Sequence, residues 1–283
     1  MKIYILPVDE KYFKIPRINP FCPHSQGFNC ELDFHRFIKE YPDLTNNPDE
    51  ATWHYLPMYW SYWQLSNDYG RVGRKEMNEY LKKLIISPEK TFTVSEADNE
   101  PRFETKIKVF SANTYNEDWI TIPEMTLPHA FPEVLPERKY LTSFVGSFKT
   151  HPIRPAMQKA LRLKKDVLIN RSEHTKEEKL FVKTILESYS TLCPRGSAMA
   201  SYRFWESMQL GVCPIMVSEV DMRPFKDEIN WDQFSYWVDN VNKLPDLLDT
   251  LDKEDLIRRG KMAQHAWNVL FNQGWCKYMF DYL

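Results

Sequence analysis

Two basic, glycine-containing turns carry the sequence's clearest chemical signal. The first is Leu192-Cys-Pro-Arg195-Gly196-Ser197-Ala-Met-Ala-Ser201-Tyr-Arg203-Phe-Trp-Glu206. A strand ending at Cys193, a tight turn at Arg195 and Gly196, small residues and then a helix from about Ala200 make an anion site. Backbone N–H groups at a helix start, the positive end of its dipole and a forked guanidinium act on one point. The same residues also fit a plain surface turn in which Arg195 pairs with a carboxylate, and Arg203 and Glu206 are spaced to pair across one helical turn. The second turn, Phe144-Val-Gly146-Ser-Phe-Lys149-Thr-His151-Pro-Ile-Arg154, repeats the order of strand, glycine, basic residues and helix start. Two cationic turns together favour a diphosphate. Neither matches the dinucleotide fingerprint or the Walker loop, which counts against NAD-dependent and kinase chemistry.

Transfer from a diphosphate ester to a hydroxyl needs a base to take the hydroxyl proton. Asp98, just after the apolar run Phe92–Val94, is the leading candidate, with Glu96, Asp68 and His129 as rivals; any of them also reads as a solvated loop charge. The aromatic run from Trp53 to Tyr69 nominates Tyr59, Trp60 and Trp63 as a stacking wall for a sugar, although aromatics at this density chiefly pack cores. The sequence holds no Asp-x-Asp and no metal-ligand spacing of His or Cys, so no metal is expected.

The elements that must position these groups follow from periodicity. From Tyr140 onward short apolar runs alternate with helical stripes: strands at Tyr140–Gly146, Val167–Ile169, Ser190–Cys193, Cys213–Val217 and Phe234–Val238, with helices at about 152–163, 175–187 and 200–210. This is an α/β, Rossmann-like pattern. The N-terminal half gives strands at Lys2–Leu6, Thr52–Leu56, Thr91–Val94 and Lys106–Phe110 and a helix at Met77–Leu84. Four prolines between Pro123 and Pro136 rule out a regular helix there and mark a connector. The expected organisation is an acceptor-side α/β domain over 1–125, a proline-rich linker over 126–139, a nucleotide-binding domain over 140–265, and a terminal helix over 266–283 returning to the first domain.

Composition narrows the partners. Among 283 residues, 37 Lys and Arg oppose 39 Asp and Glu, so a net charge of −2 gives no general pull toward nucleic acid or anionic membrane. No run approaches a membrane span, and no secretory signal is evident. Five irregularly spaced cysteines imply neither a disulfide framework nor zinc, and a reducing cytoplasm is the expected home, with pairing of Cys22 and Cys30 left open.

Several blocks resemble the exostosin family of glycosyltransferases: Cys193-Pro-Arg-Gly196, Ser201-x-Arg203-x-Trp205-Glu206, Gly211-Val-Cys-Pro214, and Pro224-Phe with Trp231 to Trp237. Weaker echoes extend to Lys2–Pro7, Asp49–Trp60 and Phe92–Asp98. Within the family the chain resembles the compact soluble members found in large DNA viruses of algae. The resemblance implies a GT-B-type fold, with two facing Rossmann-like domains and a cleft, and inverting transfer from a UDP-sugar to a glycan or glycoprotein. Xylose is the favoured donor sugar. It also implies that Glu206 takes the ribose hydroxyls, that Arg195, Gly196, Ser197 and Ser201 face the diphosphate, that Arg203 belongs to the donor-binding set, and that Gly146 and Arg154 border the same pocket. A catalytically silent sugar-nucleotide- or glycan-binding subunit and a glycoside hydrolase are the alternative readings.

Overall fold

The protein is described from a computed structural model, covering residues 1–12, 29–98, 103–126, 129–171, 178–271 and 274–283; for residues 29, 178 and 179 the backbone alone is considered. The chain divides into two units. One comprises Met1–Glu124 with Trp275–Leu283, the other Met125–Gly274.

The first unit is a parallel sheet in the order β1-β2-β3-β4-β5, formed by Ile3–Ile5, Trp53–Leu56, Thr91–Ser95, Lys108–Ser111 and Ile120–Thr121. All five residues of β3 are buried, as expected of a central strand in a sheet covered on both faces. Helix α1 (Asn29–Lys39) places Cys30, Phe34 and Ile38 four residues apart on one fully buried stripe. Helices α2 (Trp60–Ser66) and α3 (Arg74–Leu84) follow β2. Two of these helices went unforeseen. The α1 stripe is short and interrupted by charge, and α2 is built from the aromatic run itself. Cys22 lies outside the described residues, while the Cys30 thiol donates to the Pro123 carbonyl.

The second unit is also a parallel sheet: β6 (Tyr140–Gly146), β7 (Val167–Arg171), β8 (Ser188–Pro194), β9 (Cys213–Val217) and β10 (Tyr236–Val238), ordered β10-β9-β8-β6-β7. Its helices are α4 (Ile153–Leu161), α5 (Glu178–Leu186), α6 (Tyr202–Gln209), α7 (Leu244–Thr250) and α8 (Lys253–Ala266). On α4, Ile153, Met157 and Leu161 recur every fourth residue and join Phe144, Leu192 and Ile215 in the core. Each such burial contributes about 1.5–3 kcal/mol. A second knot packs Trp205 of α6 against Trp231, Trp267 and Phe271 at ring separations of 5.8, 6.2 and 5.2 Å. That packing keeps residues 266–271 with the second unit, and the chain rejoins the first at α9 (Trp275–Tyr278) rather than at 266. Within the first unit, Trp275 packs against Phe34 with ring centroids 6.3 Å apart.

Helix α8 starts cleanly, with the Asp252 side chain accepting from the Asp255 N–H at 2.8 Å. It then passes so close to the β9 approach that a Cβ on Gly260 would lie 2.3 Å from the Gly211 carbonyl oxygen. The carbonyl is backbone and a Cβ is fixed rigidly to its own Cα, so neither can swing away. Gly260→Ala is therefore expected to destabilise the second unit by about 2–4 kcal/mol, at or above the upper end of ordinary overpacking costs. Urea unfolding of the purified variant measures this, and a midpoint unchanged from wild type contradicts the close approach.

Candidate functional site

In the second unit the strand order reverses between β6 and β8. Ligands of open α/β sheets bind beyond the carboxyl ends of the strands at such a reversal. The two turns singled out in the sequence leave from these two strands: residues 147–152 after β6 and 195–201 after β8. Topology thus brings together Gly146, Arg154, Arg195, Gly196, Ser197, Ser201 and Arg203.

Arg154 binds the two turns to each other. Its Nη1 donates to the Ser147 carbonyl at 2.8 Å and its Nε to the Arg195 carbonyl at 3.0 Å. A Cβ on Gly196 would approach the Arg154 Nη2 to 3.0 Å, so the absence of a side chain there lets the guanidinium in. Arg195 is buried, 5% exposed, and its Nη1 lies 3.5 Å from Glu219, a long pair to a half-exposed carboxylate. Such a pair contributes little, so the alternative of a simple Arg–carboxylate turn is met only weakly. Ser197 is exposed, and Ser201 holds an extended conformation without capping α6 through its side chain.

Arg203 does not pair with Glu206 in the way the spacing allowed. Its guanidinium lies 4.4 Å from the Phe144 ring centroid and 4.9 Å from that of Phe181, and its Nη2 donates to the Val145 carbonyl. Its Nη1 is shut away from solvent with no hydrogen-bond partner among the described residues. A buried donor left without a partner is costly. Burial and the neighbouring Arg203 cation push Arg154 down to about 10. Two guanidinium groups that repel one another at a topological switch point, one with a donor unspent, are suited to a multiply charged anion.

Glu206 is buried at 8% exposure and accepts from His129 Nε2 at 3.1 Å. His129 is therefore sequestered in the second unit, which corrects its candidacy as a base. Asp68 has a positive φ of 49° in an exposed turn and faces Arg71 at 3.6 Å, a surface pair.

At the carboxyl end of β3 in the first unit a different chemistry gathers. Asp98 is exposed, yet protein crowded around its carboxyl raises it above the usual carboxylate range. Glu96 is 3% exposed and accepts from the Cys30 N–H at 2.7 Å, at the first turn of α1. Beside it lies Glu31, 1% exposed, an acid the sequence reading did not single out. Its Oε1 accepts from the Glu96 N–H at 3.0 Å and from both N–H and Oγ–H of Ser61 at 3.2 Å. One carboxylate thus joins α1, the start of α2 and the end of β3. Burial pushes Glu31 up to about 8, and burial together with the Glu31 charge raises Glu96 well above its ordinary value. Glu96 stands among the rival bases read from the sequence, whereas Glu31, in a helix the periodicity did not reveal, leaves no local signal.

Tyr59, Trp60 and Trp63 do not form an exposed wall. They are 4%, 1% and 7% exposed. The Trp60 indole donates to Thr93 Oγ1 at 2.9 Å, and its ring lies 5.2 Å from that of Phe103, so α2 turns its aromatics onto the sheet.

Among the described residues, no three His, Cys, Asp or Glu side chains group as metal ligands, and no helix is long and apolar enough to cross a membrane.

Comparison with known proteins gives the lineage. A "Probable beta-1,4-xylosyltransferase IRX10" of Arabidopsis thaliana is 22% identical, covering 93% of this chain and 74% of its own. A "Probable glucuronosyltransferase Os02g0520750" of Oryza sativa subsp. japonica is 23% identical over 93% of this chain and 70% of its own. Among solved structures, the crystal structure of TarM aligns with 72% of this chain at 9% identity and a TM-score of 0.38; the match spans 56% of the TarM chain. The family model described as the Exostosin GT47 domain matches residues 64–253, a span that holds Asp98, both basic turns and Glu206. With that match over most of its length, and with two parallel Rossmann-like sheets, the chain belongs to the exostosin GT47 family of glycosyltransferases.

Proposed function

We propose that the protein is an inverting glycosyltransferase that moves xylose from a UDP-sugar to a hydroxyl of a glycan or glycoprotein without a metal ion. The observation that carries this reading is the cluster of Arg154, Arg195 and Arg203 at the β6/β8 switch point, with the Arg203 Nη1 unspent. In the proposed reaction the acceptor oxygen attacks the anomeric carbon from the side opposite the diphosphate. The carbon–oxygen bond to the β-phosphate breaks, and its electron pair leaves on the nucleoside diphosphate. The acceptor proton passes to the Asp98 carboxylate. Charge that grows on the leaving group meets fixed guanidinium groups, which stabilise the transition state more than the ground state. This supplies the role a divalent ion would otherwise take. In this scheme Glu206 takes the ribose hydroxyls. Xylose is the proposed sugar on similarity to a relative whose name is that of a xylosyltransferase. The cytoplasm is the proposed compartment, supported by five cysteines without a pairing pattern.

The test is a panel of nucleotide sugars scored by the rise in melting temperature, since a ligand that binds only the folded state stabilises it. UDP and UDP-xylose are expected to give the largest shifts, undiminished by chelator. Arg195→Ala is expected to weaken UDP binding and turnover by about 1.5–3 kcal/mol, roughly ten- to a hundredfold. A wild-type protein that ignores every uridine nucleotide, or an Arg195→Ala variant with unchanged affinity, contradicts the proposal.

A further inference from the structure

The connector after the first unit treats its side chains in an order that hydrophobicity does not explain. Of residues 129–135, only His129 is buried; the next six are exposed, among them Phe131 at 50%, Val134 at 81% and Leu135 at 63%. Three large apolar groups are left in water while an imidazole is taken inside. Burying an apolar side chain in preference to His129 would gain more transfer free energy, so a polar contact must hold the histidine there. The structure provides it: Nε2 meets Glu206 Oε1 at 3.1 Å, with the histidine side chain 2% and the glutamate side chain 11% exposed. The backbone N–H of His129 donates to Gln209 Oε1 at 3.3 Å, and Gln209 Nε2 donates in turn to Thr126 Oγ1 at 2.5 Å. The connector is therefore fastened to two positions on α6, three residues apart. The imidazole also packs against Phe181, ring centroids 5.7 Å apart, and the Phe181 ring carries the Arg203 guanidinium.

We infer that His129 is a positioning residue for donor binding: its Nε2–H fixes the plane of the Glu206 carboxylate, and its ring packs against Phe181, the ring on which Arg203 rests. An unpinned carboxylate in a buried site rotates among several orientations, and a ligand must then freeze one of them as it binds. A carboxylate already held by a neighbour does not impose that cost. The inference rests on the reading above in which Glu206 meets the nucleotide, and it assigns His129 no contact with substrate.

The experiment uses the full chain, with UDP as the probe in titration calorimetry and the UDP-sugar in steady-state kinetics. In His129→Gln the amide nitrogen occupies the place of Nε2 and keeps the donated hydrogen bond. In His129→Leu the volume is similar and the donor is gone. His129→Leu is expected to weaken UDP binding and raise the donor KM about tenfold with kcat unchanged, while His129→Gln stays within about twofold of wild type. Should His129→Leu not fold, His129→Asn takes its place, because its shorter amide cannot reach Oε1. If Leu and Gln weaken binding equally, the role is packing and the inference is wrong; it is equally wrong if neither weakens it. Failure of the wild-type chain itself to bind UDP removes the nucleotide reading of Glu206, and this inference with it.

Discussion

Asp98→Asn is expected to lower turnover by about two to four orders of magnitude, the usual contribution of a positioned general base, while leaving UDP affinity within experimental error of wild type. The split follows from location: Asp98 lies three residues past the end of β3 in the first unit, and the guanidinium cluster belongs to the second. The substitution keeps shape and removes the ability to hold the acceptor proton. Because surrounding protein raises the Asp98 carboxyl above its ordinary range, the basic form becomes available only at correspondingly higher pH. The rate of the wild-type enzyme should therefore rise with pH through an acid limb placed above that of a free aspartate. Glu96→Gln is the control, since Glu96 is buried and already accepts from the Cys30 N–H. Full activity in Asp98→Asn together with its loss in a folded Glu96→Gln would move the base to Glu96. A matching loss of UDP affinity in Asp98→Asn would instead mean that the residue holds structure or donor.

How far the sequence reveals this site depends on how far apart the interacting residues lie along the chain. The turns after β6 and β8 are readable because everything they need is local: an apolar run, a glycine or Pro-Arg-Gly step, and a helical stripe within fifteen residues. The strand Tyr140–Gly146 has the bounds expected, and β8 extends the expected Ser190–Cys193 by only a few residues. What stays hidden is the direction in which a side chain turns once the helix has formed. Arg203 and Glu206 are spaced to pair, yet Arg203 turns to the Phe144 ring and the Val145 carbonyl, and Glu206 turns to a histidine from the connector. A guanidinium with an aromatic face and a carbonyl within reach gains both contacts at once, and nothing in the local i, i+3 pattern records that they are there.

The aromatic run shows the same limit for burial. Trp60 and Trp63 resemble a sugar-stacking wall when only density is visible. The partners of Trp60 are Thr93, thirty-three residues on, and Phe103 in the loop that follows β3, and Trp63 packs edge-on against Trp60. Glu31 is hidden for a similar reason. Its hydrogen-bond donors come from Ser61 and Glu96, so its role exists only once three elements have met at one end of the sheet.

That meeting makes the first unit sensitive to alkali. In the unfolded chain Glu31 loses its proton near 4.5, whereas in the folded protein burial holds the proton up to about 8. Between these values the native state binds a proton that the unfolded state has released, so unfolding free energy falls as pH rises, by about 1.4 kcal/mol per pH unit for one group. Glu96, raised in the same direction by burial and by Glu31, steepens the decline. Below 4.5 both states are protonated and the effect vanishes, and above 8 Glu31 adds no further slope. In Glu31→Gln the amide oxygen still accepts from Ser61 and from the Glu96 N–H, and there is no proton to lose. The variant is expected to match wild type within about 1 kcal/mol near pH 5 and to exceed it by several kcal/mol at pH 8, because a buried carboxylate no longer has to ionise. Urea midpoints measured from pH 5 to 8 decide the matter. Parallel curves for the two proteins would show that Glu31 gives up its proton in the fold as readily as in water, and the three-element brace would then have to be held by an ionised carboxylate whose hydrogen bonds outweigh its burial.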